Sequence, residues 1–487
     1  MQTRRFPHHL DGRSLRRMFC IALIAVLSAG TARSEQPTIV QCELDTGYRG
    51  IWYANQPSND EYKWKYSGGL ATYPQQHHPL ACYDRASHRT YFVYGGMRED
   101  GHTARAGRSL LIMVSYYDHA TGTVPRPRRI MDKRTDDAHD NPTIQIDAKG
   151  HIWVVVPAHG TSRPSYIYRS IRPRDIDGFE LVLETNFSYP QPWFLGESDF
   201  LLLHTRYKAG RQLFAMRSTD GRDWSEPELL ARVEQGHYQI SWPHGHSIGT
   251  AFNFHPREGG LNARTNLYYM QSDDVGRTWR NIRGEPLTLP LTSPKNPALV
   301  YDYQSEGHVV YLKDLNYDAQ GRPIILYLTG TTWKSGPSGG LRTWHTAHWD
   351  GSTWRIRDLF TSDHNYDTGC LHVEKNGEWR IFAPTLPGPQ DWNSGGEVVL
   401  WISPDEGATW TSRPLTSGSS YNHTYMRRPV SAHPDFYAYW ADGHAREPSP
   451  VSLYFATRDG RVFRLPREMS ADTARPELVP LTTTRPE

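Results

Sequence analysis

Short apolar runs recur along the whole chain, each bounded nearby by Gly, Pro, Asp or Asn. Examples are Thr90 to Tyr94, Ile152 to Val156, Phe200 to His204, Asn266 to Met270, Val309 to Leu312, Ile324 to Leu328 and Val398 to Ile402. Each is rich in aliphatic or aromatic residues, which suit a pleated and buried surface. No long stretch carries a 3.6-residue period with caps at its ends, so helices are not expected. The pattern predicts an all-β chain of many short strands.

A phrase repeats between the strands. Ser272-Asp273-Asp274-Val275-Gly276-Arg277-Thr278-Trp279 returns as Ser403-Pro404-Asp405-Glu406-Gly407-Ala408-Thr409-Trp410, and a shortened copy stands at Ser218 to Trp224. Weaker echoes are Asp350 to Trp354 and Asn376 to Trp379. The phrase resembles the Asp box, the hairpin turn of sialidase-type β-propellers. An Asp can bond its own backbone, Gly supplies positive φ, and the Trp is expected to pack on the next blade. Spacings of about 40–60 residues suit one four-stranded blade per repeat. The box is a structural device and carries no chemistry.

Composition narrows the class. The 487 residues include 16 Trp and 28 Tyr, an aromatic content typical of sheets and sugar-binding surfaces. The 40 Gly and 35 Pro lie among aromatics, which argues for turns rather than disorder. A net charge of +2 gives no reason to expect nucleic acid. Arg4, Arg5, Arg13, Arg16 and Arg17 precede the apolar run Met18 to Ala29, and Ala32-Arg33-Ser34 is a small-x-small site. Residues 1–34 therefore read as a signal peptide, too short in its apolar part to span a membrane. Residues 35–487 read as a single catalytic domain, secreted or periplasmic. Cys42, Cys82 and Cys370 remain, an odd number that cannot form a complete disulfide framework.

The chemistry is sought in the loops. His139 precedes the strand starting at Thr143, and His159 follows the strand Trp153 to Val156. If these strands form one hairpin, both histidines return to the same end. Tyr189 lies between prolines in Phe187-Ser188-Tyr189-Pro190-Gln191-Pro192-Trp193, and Arg206-Tyr207 sits at a strand end. His, Tyr and Arg converging in a cleft suit β-elimination on a uronic acid. The carboxylate must be neutralised, which Arg does by bidentate contact. A base must take the C5 proton and an acid must protonate the leaving oxygen, roles open to His and Tyr. A glycosidase normally needs paired carboxylates, and none of Asp140, Asp199, Asp367 or Asp391 forms a pair that the sequence singles out.

Further residues carry a family resemblance. Gly47 to Tyr53, Lys65 to Leu70, His139-Asp140-Asn141-Pro142, Phe187 to Pro192, His433-Pro434-Asp435 and Trp440 to Gly443 together look like the BNR-4 propeller family, over nearly all of the mature chain. That family includes ulvan lyases and a rhamnosidase/rhamnose-glucuronate lyase branch. The resemblance implies a seven-bladed β-propeller with a cleft on one face. It also implies an acidic, rhamnose–uronate polysaccharide as substrate, and no required cofactor. By motif, the proton-transfer histidine falls on His139, the assisting one on His159, the tyrosine on Tyr189 with Tyr207 as rival, and the arginine on Arg206. Asn141, Tyr207, His244, His246 and His78 are the substrate-contact candidates.

Rival readings remain open. In the rhamnosidase branch one early histidine does the hydrolysis, and His78 is the positional match, so an α-L-rhamnosidase is the alternative enzyme. A non-catalytic glycan-binding propeller is the alternative outside enzymes. A structural metal at His244 and His246, or at Cys370 and His372 with His345, His348 and His364 nearby, is conceivable from residue type. Trp333, Trp344 and Trp392 are candidate sugar platforms. The plainer roles are a turn cap for His139, packing on Trp193 for Tyr189, and an ion pair with Glu197 or Asp199 for Arg206.

Overall fold

A computed structural model describes residues 38–98, 109–196 and 198–481. The expected leader lies outside the described residues. Seven antiparallel sheets of four or five strands follow one another along the chain, with two small two-stranded sheets beside them. This is a seven-bladed β-propeller with almost no helix, as the strand pattern and the repeated turns predict. Blade 1 runs from Ala81–Asp84 to Arg128–Asp132, and blade 2 from Thr143–Ile146 to Gly178–Thr185. Blade 3 spans Ser188–Phe194 to Glu228–Ala231, and blade 4 spans Gln239–His244 to Leu299–Tyr301. Blade 5 spans Val309–Tyr317 to Trp354–Ser362, and blade 6 spans Cys370–Val373 to Thr411–Pro414. Blade 7 begins at Asn422–Arg427 and ends at Glu477–Val479.

The core lies between neighbouring blades, where aromatic rings interlock face to face and edge to face. Trp193 of blade 3 meets Trp242 of blade 4 at 5.0 Å between ring centroids, and Phe360 of blade 5 stacks on Trp401 of blade 6 at 4.2 Å. The ring closes between blades 1 and 7. Tyr83 donates its backbone N–H to the Val430 carbonyl at 3.0 Å, and Val430 donates to the Ala81 carbonyl at 2.9 Å.

The Asp boxes fold alike. Asp274 Oδ1 accepts the Thr278 N–H at 2.8 Å, and Asp405 Oδ1 accepts the Thr409 N–H at 2.8 Å. Gly276 and Gly407 sit at φ 74° and 82°, where a side chain would be strained. One expectation is reversed: the boxes face the preceding blade, not the next. A Cβ on Gly276 would lie 2.9 Å from Leu201 of blade 3, and Trp410 of blade 6 meets Phe360 of blade 5.

A segment outside the blades fills the axis. The hairpin Trp52–Pro57 and Trp64–Gly69 leads into residues 70–80. There the Arg427 guanidinium holds the carbonyls of Thr72 (2.9 Å), Gln75 (3.1 Å), His77 (3.0 Å) and Pro74. Asn141 donates to the Leu70 and Tyr73 carbonyls at 2.7 and 2.8 Å. Arg428 of blade 7 lies 3.5 Å over the ring of Trp242 in blade 4, so these side chains meet across the middle of the ring. Blades and axial segment together leave a cleft at one end of the strands.

Candidate active site

Blade 2 delivers both histidines to that end. Thr143–Ile146 pairs antiparallel with Ile152–Val156, Thr143 opposite Val155, so the residues before and after this hairpin lie side by side. His139 sits in a 3-10 turn, Ala138–Asp140, whose N-cap Asp137 accepts the His139 N–H. The same carboxylate then bridges the rings. Its Oδ1 accepts from His139 Nδ1 at 2.5 Å and its Oδ2 from His159 Nδ1 at 2.8 Å. The imidazoles stack at 3.8 Å and 15°.

Electrostatics fix the protonation. Burial pushes His139 down to about 4, helped by the neighbouring His159 and opposed by Asp137. Burial alone would raise Asp137, yet its two histidine partners hold it well below the ordinary carboxylate range. His139 is thus neutral at pH 7. Its Nδ1–H points to Asp137, and Nε2 is left as a lone pair. Tyr73 OH donates into that lone pair at 2.5 Å, and Tyr66 OH lies 2.8 Å from Tyr73 OH.

A second polar cluster comes from blades 3 and 4. Tyr189 OH lies 3.3 Å from Tyr207 OH and 3.2 Å from Tyr238 OH, and Arg211 Nε donates to Tyr207 OH at 3.2 Å. Tyr189 has φ 51°, inside a bulge between Ser188 and Gln191. Tyr425 repeats this in blade 7, with φ 55° in the shift between Thr424 and Arg427. A non-glycine residue in this region costs about 1–2 kcal/mol, and here it turns each ring toward the cleft. Tyr189 comes within 6.1 Å of the His139 ring and 6.4 Å of the His159 ring.

The cavity between these clusters is narrow, with a volume of about 50 Å³. Its walls carry four basic side chains, Lys65, Arg211, Arg264 and Lys313, besides His139 and His159. Among the described residues no Asp or Glu lines it. Arg264 is 3% exposed, donates to Tyr366 OH at 3.0 Å, and lies 4.3 Å over the ring of Tyr311. Burial and the nearby Arg264 and Arg211 push Lys65 down to about 6, and burial pushes Lys313 down to about 7 against the pull of Asp367. Two guanidinium charges, with two lysines that a bound anion would charge and no carboxylate on the wall to balance them, make a site for an anion.

Of the residues singled out in the sequence, His139 and His159 line the cavity and Tyr189 and Tyr207 stand directly behind it. The structure does not bring Arg206 there. Along Phe200–Tyr207 successive side chains alternate in face, so Tyr207 points to the cleft and Arg206 to the other side. The Arg206 guanidinium lies 6.0 Å from the Phe214 ring and its charge partner is Glu226. Asn141 is buried and holds the axial segment, with no exposure to the cavity. His244 and His246 stand at the hairpin end of Gln239–His244, whose other end adjoins the cavity-lining Tyr238. His246 Nδ1 is hydrogen-bonded to the Leu195 carbonyl at 2.8 Å. His78 is 5% exposed and packs edge-on to Trp242 at 6.2 Å, away from the cavity wall.

The histidines considered for a metal do not assemble. His345 takes Asp358 and Thr329, His348 takes Asp318, His364 takes Ser335, and His372 stacks on Tyr437. Trp344 is core, whereas Trp333 lies 5.4 Å from the Lys65 ammonium. Asp137, His139 and His159 have the residue types and spacing to ligate an ion, though each carboxylate oxygen already accepts an imidazole N–H. Sequence reasoning missed Asp137, Tyr73, Arg211 and Arg264. Arg211 was within reach: Tyr207-Lys208-Ala209-Gly210-Arg211 is a tight hairpin that pairs Tyr207 with Arg211.

A seven-bladed propeller whose cleft combines a carboxylate-bridged histidine pair, a tyrosine cluster and basic side chains defines a protein built to hold and act on an anionic ligand. The chain belongs to the BNR repeat-containing family, whose model matches residues 112–362. An ulvan lyase of Nonlabens ulvanivorans is 24% identical over 364 residues, covering 67% of this chain and 74% of that one. An ulvan lyase of Alteromonas sp. (strain LOR) is 23% identical over 435 residues, covering 80% and 84%. Among solved structures, a polysaccharide lyase PL25 ulvan lyase superposes with a TM-score of 0.65 at 19% identity, covering 84% of this chain and 95% of that one. The same enzyme has been solved bound to GlcA(1-4)Rha3S.

Proposed function

We propose that the protein is a polysaccharide lyase that cleaves an ulvan-type rhamnose–uronate glycan by β-elimination. The observation that carries this is the cleft itself, in which Arg211, Arg264, two lysines and a neutral histidine face a cavity free of carboxylates among the described residues. Paired carboxylates, the usual machinery of a glycosidase, are not what lines it. The names of the similar proteins, and the uronate-containing ligand of one of them, support the same substrate class.

Arg211 and Arg264 take the place first given to Arg206 and hold the uronate carboxylate, which acidifies the C5 proton. His139, acting through Tyr73, takes that proton. The C5–H electron pair becomes the C4–C5 double bond and the C4–O4 bond breaks. A tyrosine of the Tyr189–Tyr207–Tyr238 group gives its proton to O4, and Arg211 balances the phenolate that results. Asp137 stabilises the imidazolium, and the proton then returns from imidazolium to phenolate. His159 supports Asp137.

The mature chain, from about Glu35, acts as one secreted or periplasmic domain in this reading. No helix among the described residues is long and apolar enough to cross a membrane. Incubation with ulvan should produce the near-ultraviolet absorbance of an unsaturated uronate. Release of reducing sugar without it would point to hydrolysis.

A further inference from the structure

A second histidine cluster lies at the seam between blades 1 and 7, at the strand ends away from the cleft. His119 follows Leu111–Asp118 of blade 1, and His433 and Asp435 precede Ala438–Gly443 of blade 7. The His119 and His433 rings are 3.9 Å apart between centroids. One ligand-type atom from each of His119, His433 and Asp435 lies within 4.8 Å of the others. His88, from the first turn of blade 1, brings a third imidazole within 5.3 Å of His119 and 5.2 Å of His433.

Within the cluster His433 Nδ1 accepts the Asp435 N–H at 3.2 Å, and the open nitrogen belongs to His119. His119 Nε2 and Thr90 Oγ1 are 2.8 Å apart, an outer partner of the kind that orients a metal-bound imidazole. The other ring nitrogen, Nδ1, is buried and has no hydrogen-bond partner among the described residues. A buried polar atom without a partner costs about 1–3 kcal/mol unless something else meets it. Tyr83 OH bonds His88 Nδ1 at 2.9 Å in the same way, and the rings of Tyr83 and Tyr117 wall the cluster at 5.4 and 4.9 Å from His119.

We propose that His119, His433 and Asp435 bind a divalent transition-metal ion of the zinc type, with His88 or water in the fourth position. Two imidazoles and a carboxylate from two loops match a tetrahedral N/O site. The ligands come from the first and last blades, so the ion clasps the ring where the chain closes it, beside the Tyr83–Val430 backbone pairing. The clasp is structural and independent of the chemistry assigned to the cleft.

The test is zinc binding to the full-length mature protein after chelator treatment and desalting, read by calorimetry and thermal melting. One zinc ion per chain and a rise in Tm are expected, because a ligand held only by the folded state stabilises it. Both effects should disappear in His433→Gln and in Asp435→Asn, which change partly or fully exposed loop residues, and survive in His159→Gln. Binding that persists in both loop variants, binding lost in His159→Gln instead, or no binding at all would overturn the proposal.

Discussion

The imidazoles of His139 and His159 lie face to face, 3.8 Å between centroids, with the Asp137 carboxylate joining their Nδ1 atoms. The bridge fixes the tautomer of His139 and aims its Nε2 at Tyr73. It also supplies the negative charge needed once an imidazolium forms. Asp137→Asn removes that charge and puts an amide where one of the two N–H donors needs an acceptor. The expected result is a fall in kcat of roughly 10²–10⁴-fold with little change in KM. Steady-state kinetics beside circular dichroism checks it; near-normal kcat in a folded variant would remove Asp137 from the mechanism.

Arg206 and Arg211 are five positions apart and have opposite fates. Arg211 lines the cavity and donates to Tyr207, while Arg206 lies by Phe214 on the other face of the same hairpin. Arg211→Ala should lower kcat/KM about 10²-fold or more, the scale of losing one charged donor in a water-poor site. Arg206→Ala should stay near wild type. The reverse ranking would restore Arg206 as the carboxylate partner.

Binding should weaken as pH rises. Lys65 titrates at about 6 in the free protein because burial and two arginines disfavour its charge. A bound anion raises that value. Below about 6 Lys65 is charged in both states and affinity is full. Above it, binding must take up a proton, so KM climbs by up to about tenfold per pH unit until the bound value is passed. Lys65→Gln should flatten this rise. Calorimetry in buffers of different ionisation enthalpy measures the proton uptake directly, and a result of none would contradict the assignment.

The fold was legible because its signals are local. Strand alternation and the Asp-box turns need only neighbouring residues, and His139 and His159 could be placed together through one hairpin. Arg264 and Tyr73 reach the cleft from blade 4 and from the axial segment, contacts set by ring closure, which no local pattern announces. Arg206 illustrates the sharper limit: in a strand, an offset of one residue exchanges the cleft for the opposite face. His78 drew attention as the positional match to the rhamnosidase branch's histidine, and the structure buries it in the plug across the axis.

Asn141 belongs to that plug. Its amide donates to the Leu70 and Tyr73 carbonyls and so holds the loop that carries Tyr73. Asn141→Ala orphans these buried acceptors at about 1–3 kcal/mol each. A lower Tm accompanied by reduced kcat is expected, from thermal melts and kinetics on the same preparation. An unchanged Tm would mean that the axial segment is held without it.

The most direct measurement follows near-ultraviolet absorbance while the wild-type protein and His139→Ala are each incubated with ulvan. The expected result is a steady rise from C4–C5 unsaturated uronate with wild type and essentially none with His139→Ala. No rise with wild type while reducing rhamnose accumulates, or an equal rise in both proteins, would contradict β-elimination at His139.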